Sequence, residues 1–91
     1  MADSELDPRA LEALIFAADG PLGANALRRA FPKVTPSQIA AAVAEINANL
    51  VATGRPYEIA EVAAGYQFRT RPQFAEVILA ASAINSRVIH T

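Results

Sequence analysis

EVAAGYQFRTRP, residues 61–72, is the stretch on which the reading of the whole chain depends. Two β-prone runs, Tyr57-Glu58-Ile59-Ala60-Glu61-Val62 and Tyr66-Gln67-Phe68-Arg69-Thr70, flank Ala63-Ala64-Gly65. Glycine reaches positive φ without a steric penalty, so Gly65 can close a tight hairpin. A loop over residues 63–65 with Gly65 left-handed sets Val62 beside Tyr66 and Ala60 beside Phe68 on one buried face. Gln67 and Arg69 then point the other way, and Ile59 lands with them, an interruption of the period-2 pattern.

Working upstream, Arg55-Pro56 turns the chain into the hairpin after a long helix. Thr35-Pro36-Ser37-Gln38 is a capping box with proline in the first helical turn, and Ile39, Val43, Ile46 and Leu50 then hold one stripe until Gly54. A shorter helix is predicted over Leu22–Phe31, with Leu27, Ala30 and Phe31 inward and Arg28-Arg29 outward. Asp7-Pro8 starts the first helix, whose stripe is Leu11, Leu14, Ile15 and Ala18 and which Gly20-Pro21 stops. Phe16 lies opposite that stripe, so this helix is apolar on two sides and either lies within the core or meets a partner chain.

Downstream, Arg71-Pro72 ends the second strand and opens a fourth helix with the stripe Phe74, Val77, Ile78 and Ala81. Leu79 falls off that stripe, as either a satellite core contact or an interface residue. The order helix, helix, helix, hairpin, helix predicts an α+β fold, a winged helix-turn-helix with three helices, a β-hairpin wing and a C-terminal helix. The expected core is Leu14, Ile15, Leu27, Ile39, Val43, Ile46, Phe68, Phe74 and Ile78. The domain is expected over residues 8–84, between a flexible lead-in (1–7) and a flexible tail (85–91).

The chain has 91 residues, enough for one domain, and is 53% apolar with a formal net charge of −1, which excludes a disordered chain or a uniformly basic nucleic-acid binder. It has no cysteine, so neither a disulfide framework nor a thiolate metal site is available. No basic segment precedes an apolar run, and no apolar stretch approaches the ~20 residues of a spanning helix, so a cytoplasmic location is expected. Catalytic chemistry has no set of residues to carry it: His90, the sole histidine, is next to the terminus and has no nucleophile or ligand partners in the pattern. Four glycines at 20, 23, 54 and 65 form no nucleotide-binding fingerprint, so no cofactor and no metal is expected.

A winged helix can read DNA, and a DNA-binding transcriptional regulator is the alternative reading. From Pro36 to Thr53, the recognition helix, the only charge is Glu45, whereas phosphate contacts by Lys and Arg supply most of the affinity of such helices. Gln38, Asn47 and Asn49 could touch bases but not anchor the domain. Arg28, Arg29 and Lys33 form a small basic cluster, either a solvated face or a phosphate contact. On the wing, Arg69 and Arg71 alternate on one strand; they are either weak nucleic-acid contacts or ordinary exposed arginines.

Leu11-Glu12-Ala13-Leu14-Ile15-Phe16-Ala17, followed by Gly20-Pro21-Leu22, together with the hairpin from Glu61 to Pro72, resembles the segregation and condensation protein B family. The resemblance covers residues 9–79, the family's N-terminal winged-helix domain, with departures at the turn residues Asp19-Gly20-Pro21 and Ala64-Gly65. It implies a non-enzymatic accessory subunit of the bacterial SMC chromosome-segregation complex, a homodimer that grips a kleisin (ScpA-like) subunit. The family continues into a second winged-helix domain that makes much of the kleisin contact, whereas this sequence closes at Ser86–Thr91, which is expected of a truncated homologue or an excised domain. A small domain has little interior in which to hide two-sided helices, so Phe16 and Leu79, with Tyr66 on the wing, are the candidate dimer or partner interface. No specific DNA and no membrane is expected as a partner.

Overall fold

Asp7, the residue before the first helix, accepts a hydrogen bond from the Arg9 N–H through its side chain, and the chain enters α1 (Pro8–Ala17) there. This is a computed structural model, and it describes residues 6–81. The expected ends of the chain, residues 1–5 and 82–91, lie outside the described residues, and with them fall His90, the tail 85–91 and the last part of the expected 8–84 domain. After α1 come α2 (Ala24–Ala30), α3 (Pro36–Ala52), strands β1 (Tyr57–Val62) and β2 (Gly65–Thr70), a 3₁₀ turn (Pro72–Phe74) and α4 (Ala75–Ala80). The element order is that of a winged helix-turn-helix, with α2 and α3 as the helix pair and β1–β2 as the wing.

The longest helix follows its sequence signals closely. Thr35 Oγ1 accepts from the Gln38 N–H, and the Gln38 side chain accepts in return from the Thr35 N–H at 2.8 Å, so two otherwise orphaned donors are satisfied at the start of α3. Ile39, Val43, Ile46 and Leu50 are all buried, joined by Ala42, where a small side chain brings the helix close to its neighbours. Around this stripe gather Leu11 and Ile15 of α1, Leu22, Leu27 of α2 and Ile59 of β1, with Leu14 and Phe68 half-buried against them. Leu11 is completely buried.

The hairpin register differs from the expected one by a single residue. Val62 pairs with Gly65, Glu61 with Tyr66, Ala60 with Gln67 and Ile59 with Phe68, so the loop is the two residues Ala63-Ala64. Ile59 therefore stands opposite Phe68, and β1 buries the consecutive residues Ile59 and Ala60, so its burial does not follow a period of two. Gly65 has φ +142, but it serves to admit the chain from outside the hairpin and not to close the loop. Leu22 bridges Tyr66 across the other side of β2, with its N–H on the Tyr66 C=O at 2.8 Å and the Tyr66 N–H on its C=O at 3.1 Å. Leu22 is therefore a one-residue third strand and not the start of α2, which begins two residues later behind Gly23.

Three expectations about packing are corrected. Ala30 is exposed, because the seven residues of α2 place only Leu27 in the core. Phe74 and Ile78 are half-buried and lie outside the core cluster, since no residue of the 3₁₀ turn or of α4 is buried. Val77, expected on the inward stripe of that helix, is 66% exposed.

Candidate interaction site

The surfaces that could meet a partner are set by how the wing is held. In an antiparallel pair, residues alternate between exchanging both backbone bonds and turning both outward. Ile59 turns outward, and Asn47 of α3 meets it there: Asn47 Nδ2 donates to the Ile59 C=O at 2.9 Å, and the Ile59 N–H donates to Asn47 Oδ1 at 2.8 Å. The primary amide imitates a neighbouring strand and binds β1 to α3. Two of the three side chains expected to be able to touch bases are thus committed elsewhere, Asn47 to the wing and Gln38 to the capping box.

Arg69 and Arg71 are not free surface arginines. Arg69 Nε lies 3.2 Å from Glu58 Oε2, across the strand pair, and Arg71 Nη1 lies 2.9 Å from Glu58 Oε1. Arg71 Nε also donates to the Arg55 C=O at 3.1 Å, while its Nη2 is buried without a hydrogen-bond partner. The Arg71 side chain is 16% exposed, which corrects the reading of it as an ordinary exposed arginine, and that of Arg69 is 39% exposed. One carboxylate shared by two guanidiniums leaves one net positive charge at the base of the wing. The pairing of Glu58 was missed in the sequence because it depends on the register, which sets Glu58 opposite Arg69.

The three expected interface residues go to different places. Phe16 is 78% exposed and sits edge-on to Phe68, ring centres 6.1 Å apart, on the flank of a groove of about 600 Å³ between α1 and β2. Tyr57 closes the far side with its own edge-on contact to Phe68 at 5.8 Å. Tyr66 is half-buried against the core. Its phenol is pushed above the ordinary tyrosine value, first by burial and then by the neighbouring Glu61 carboxylate. Leu79 is 62% exposed on α4 and, like Tyr66, does not line the groove. Exposed Val77 on the same short helix was missed, because the stripe pattern assigned it inward and a six-residue helix shows no second face to contradict that.

Arg28, Arg29 and Lys33 are exposed, and Arg28 donates to Asn25 within α2. Among the described residues no group of three or more His, Asp or Glu side chains could hold a metal ion, and no helix is long and apolar enough to cross a membrane.

Comparison with known proteins agrees with this geometry. The family model for segregation and condensation complex subunit ScpB matches residues 9–88. Segregation and condensation protein B of Syntrophotalea carbinolica is 41% identical over 66 residues, which cover 72% of this chain and 33% of that protein. Among solved structures, a conserved hypothetical protein from Chlorobium tepidum superposes with a TM-score of 0.80 at 38% identity, covering 91% of this chain and 52% of that one. ScpB from Mycobacterium tuberculosis gives a TM-score of 0.65 at 28% identity, covering 88% of this chain and 54% of that one. The chain spans about a third of the length of the curated relative and about half of each solved chain. The family is non-enzymatic. With its helices, wing and most of its length matched in sequence and in fold, the chain belongs to the segregation and condensation complex subunit ScpB family.

Proposed function

We propose that this chain is a winged-helix dimerisation module of an SMC–kleisin chromosome-segregation complex, acting in the cytoplasm as a non-catalytic subunit. The observation that carries the self-association is α4: Val77 and Leu79, 66% and 62% exposed, stand two residues apart, on different sides of a helix that buries nothing of its own. Each large apolar side chain removed from water contributes about 1.5–3 kcal/mol before association costs. A symmetric pairing that buries about 800 Å² per partner is the expected form.

Family membership supports the complex and the kleisin (ScpA-like) partner. The regulator reading is weaker, since α3 carries a single charge, Glu45, and the two wing arginines are already ion-paired to Glu58. Light scattering over a concentration series tests the dimer, with Leu79→Asp as the probe. The wild type is expected to double its mass while the variant stays at the monomer mass with unchanged circular dichroism. A wild type that remains monomeric at high concentration overturns the module reading, and a dimer untouched by Leu79→Asp removes α4 from it. Co-purification with an ScpA-like kleisin tests the partner separately.

A further inference from the structure

We propose that the groove between α1 and β2 is a strand-addition site: it takes a single extended segment of a partner polypeptide, which pairs with the outer edge of β2 at Phe68 and seats an apolar side chain beside Phe16. Ile59 gives both of its backbone groups to Asn47, so Ile59–Phe68 is a pair that turns its bonds outward, and Phe68 directs its N–H and C=O away from β1. Tyr66 has the same parity on β2, and its outward groups are taken by Leu22. That edge therefore already accepts a strand from within the chain.

An antiparallel continuation of the Leu22 bridge would bring Gly20 opposite Phe68. The chain instead bends through residues 18–20 to leave α1, and Gly20 has open space around the position of a side chain. The place of the missing strand is the groove. The groove is lined by the consecutive β2 residues Gln67, Phe68, Arg69 and Thr70, together with Gly20 and α1, as an approach along the outer edge of β2 requires.

The occupant follows from these constraints. Outward N–H and C=O groups call for an extended peptide backbone, the recognition mode of β-strand addition. A helix would not satisfy them, and one strand is enough to do so. Phe16, Phe68 and Tyr57 offer aromatic surface for one large apolar anchor. The net positive charge that Arg69 and Arg71 retain around Glu58 adjoins the Arg69 end of the groove, so an acidic residue next to the anchor is favoured. This inference is independent of the dimer, because it rests on the β2 edge and not on α4.

The test uses the full 91-residue chain and a fluorescein-labelled peptide reading Thr-Val-Phe-Val-Asp-Thr, followed by anisotropy and by amide exchange at Phe68. Saturable binding is expected, at least tenfold weaker when the peptide's central amide is N-methylated and when the exposed Phe16 is changed to alanine, with the Phe68 amide slowing on saturation. Absence of binding by that peptide, or binding indifferent to N-methylation, overturns strand addition. A Phe68 amide protected without peptide also overturns the partner assignment: concentration-dependent protection would give the edge to a second copy, and concentration-independent protection to another segment of the same chain.

Discussion

Asn47 and Ile59 are joined by a pair of hydrogen bonds, 2.9 and 2.8 Å, through which a side-chain amide in the middle of α3 does for β1 what a neighbouring strand would do. Removing it leaves two half-buried backbone groups unmet. Asn47→Ala is therefore expected to cost about 1–3 kcal/mol in urea unfolding and to speed exchange of the Ile59 amide, whereas Asn49→Ala, on the exposed face, stays within about 0.5 kcal/mol. Equal effects for the two would dismiss the clamp.

Gly65 and Gly54 make a controlled comparison. A Cβ on Gly65 would lie 2.2 Å from the Leu22 carbonyl oxygen and 2.5 Å from its carbon, both backbone atoms, at φ +142. Gly54, at φ +70, has open space. Gly54→Ala should cost about 1 kcal/mol from backbone strain, and Gly65→Ala more than about 2 kcal/mol because the Leu22 bridge must also separate. Differential unfolding measurements on the two variants check the order.

Glu58 holds two arginines of unequal burial. Arg71→Ala is expected to be the more costly change, since Arg71 is 16% exposed and also bonds Arg55, while the 39% exposed Arg69 gains little from its ion pair, under about 1 kcal/mol. Glu58→Ala leaves both guanidiniums facing each other and should cost more than Arg69→Ala. Thermal melts at low and high salt separate the charge effect from packing.

Tyr66 supplies the alkaline limit. Its phenol is raised above the ordinary value of 10.0 in the folded chain, so the fold favours the neutral form; the contribution is complete below that value and is lost as pH rises through the folded pKa. Stability should fall above about pH 10, and Tyr66→Phe should flatten that part of the curve. Urea midpoints for both proteins at about pH 8, 10 and 11 are the measurement.

On random and on selected duplex DNA, no sequence-selective binding is expected at near-physiological salt, because α3 has no cation and the wing arginines are paired. Tight, selective binding in a salt-titrated assay would restore the regulator reading.

Much of the architecture was legible from short stretches. The Asp7-Pro8 start, the Thr35–Gln38 capping box, the stripe Ile39, Val43, Ile46 and Leu50, and the two strands of the wing all appear where residue type and spacing put them. These signals act within a turn or two of chain, so their consequence needs no knowledge of what lies across the core. Family membership was legible for a similar reason, since the first helix and the hairpin carry it in contiguous residues.

The wing register, the commitment of Asn47, the pairing of Arg69 and Arg71 with Glu58, and the failure of Phe74 and Ile78 to enter the core were not legible. Each is set by groups far apart in sequence. A one-residue change of register reverses the face of every strand side chain, and here Leu22 approaching Gly65 on one edge and Asn47 holding Ile59 on the other select the pairing. Local propensity is nearly the same for both registers; the backbone hydrogen bonds made from outside the hairpin are available in one of them, and that difference is the physical reason the tertiary fold has the last word on the site.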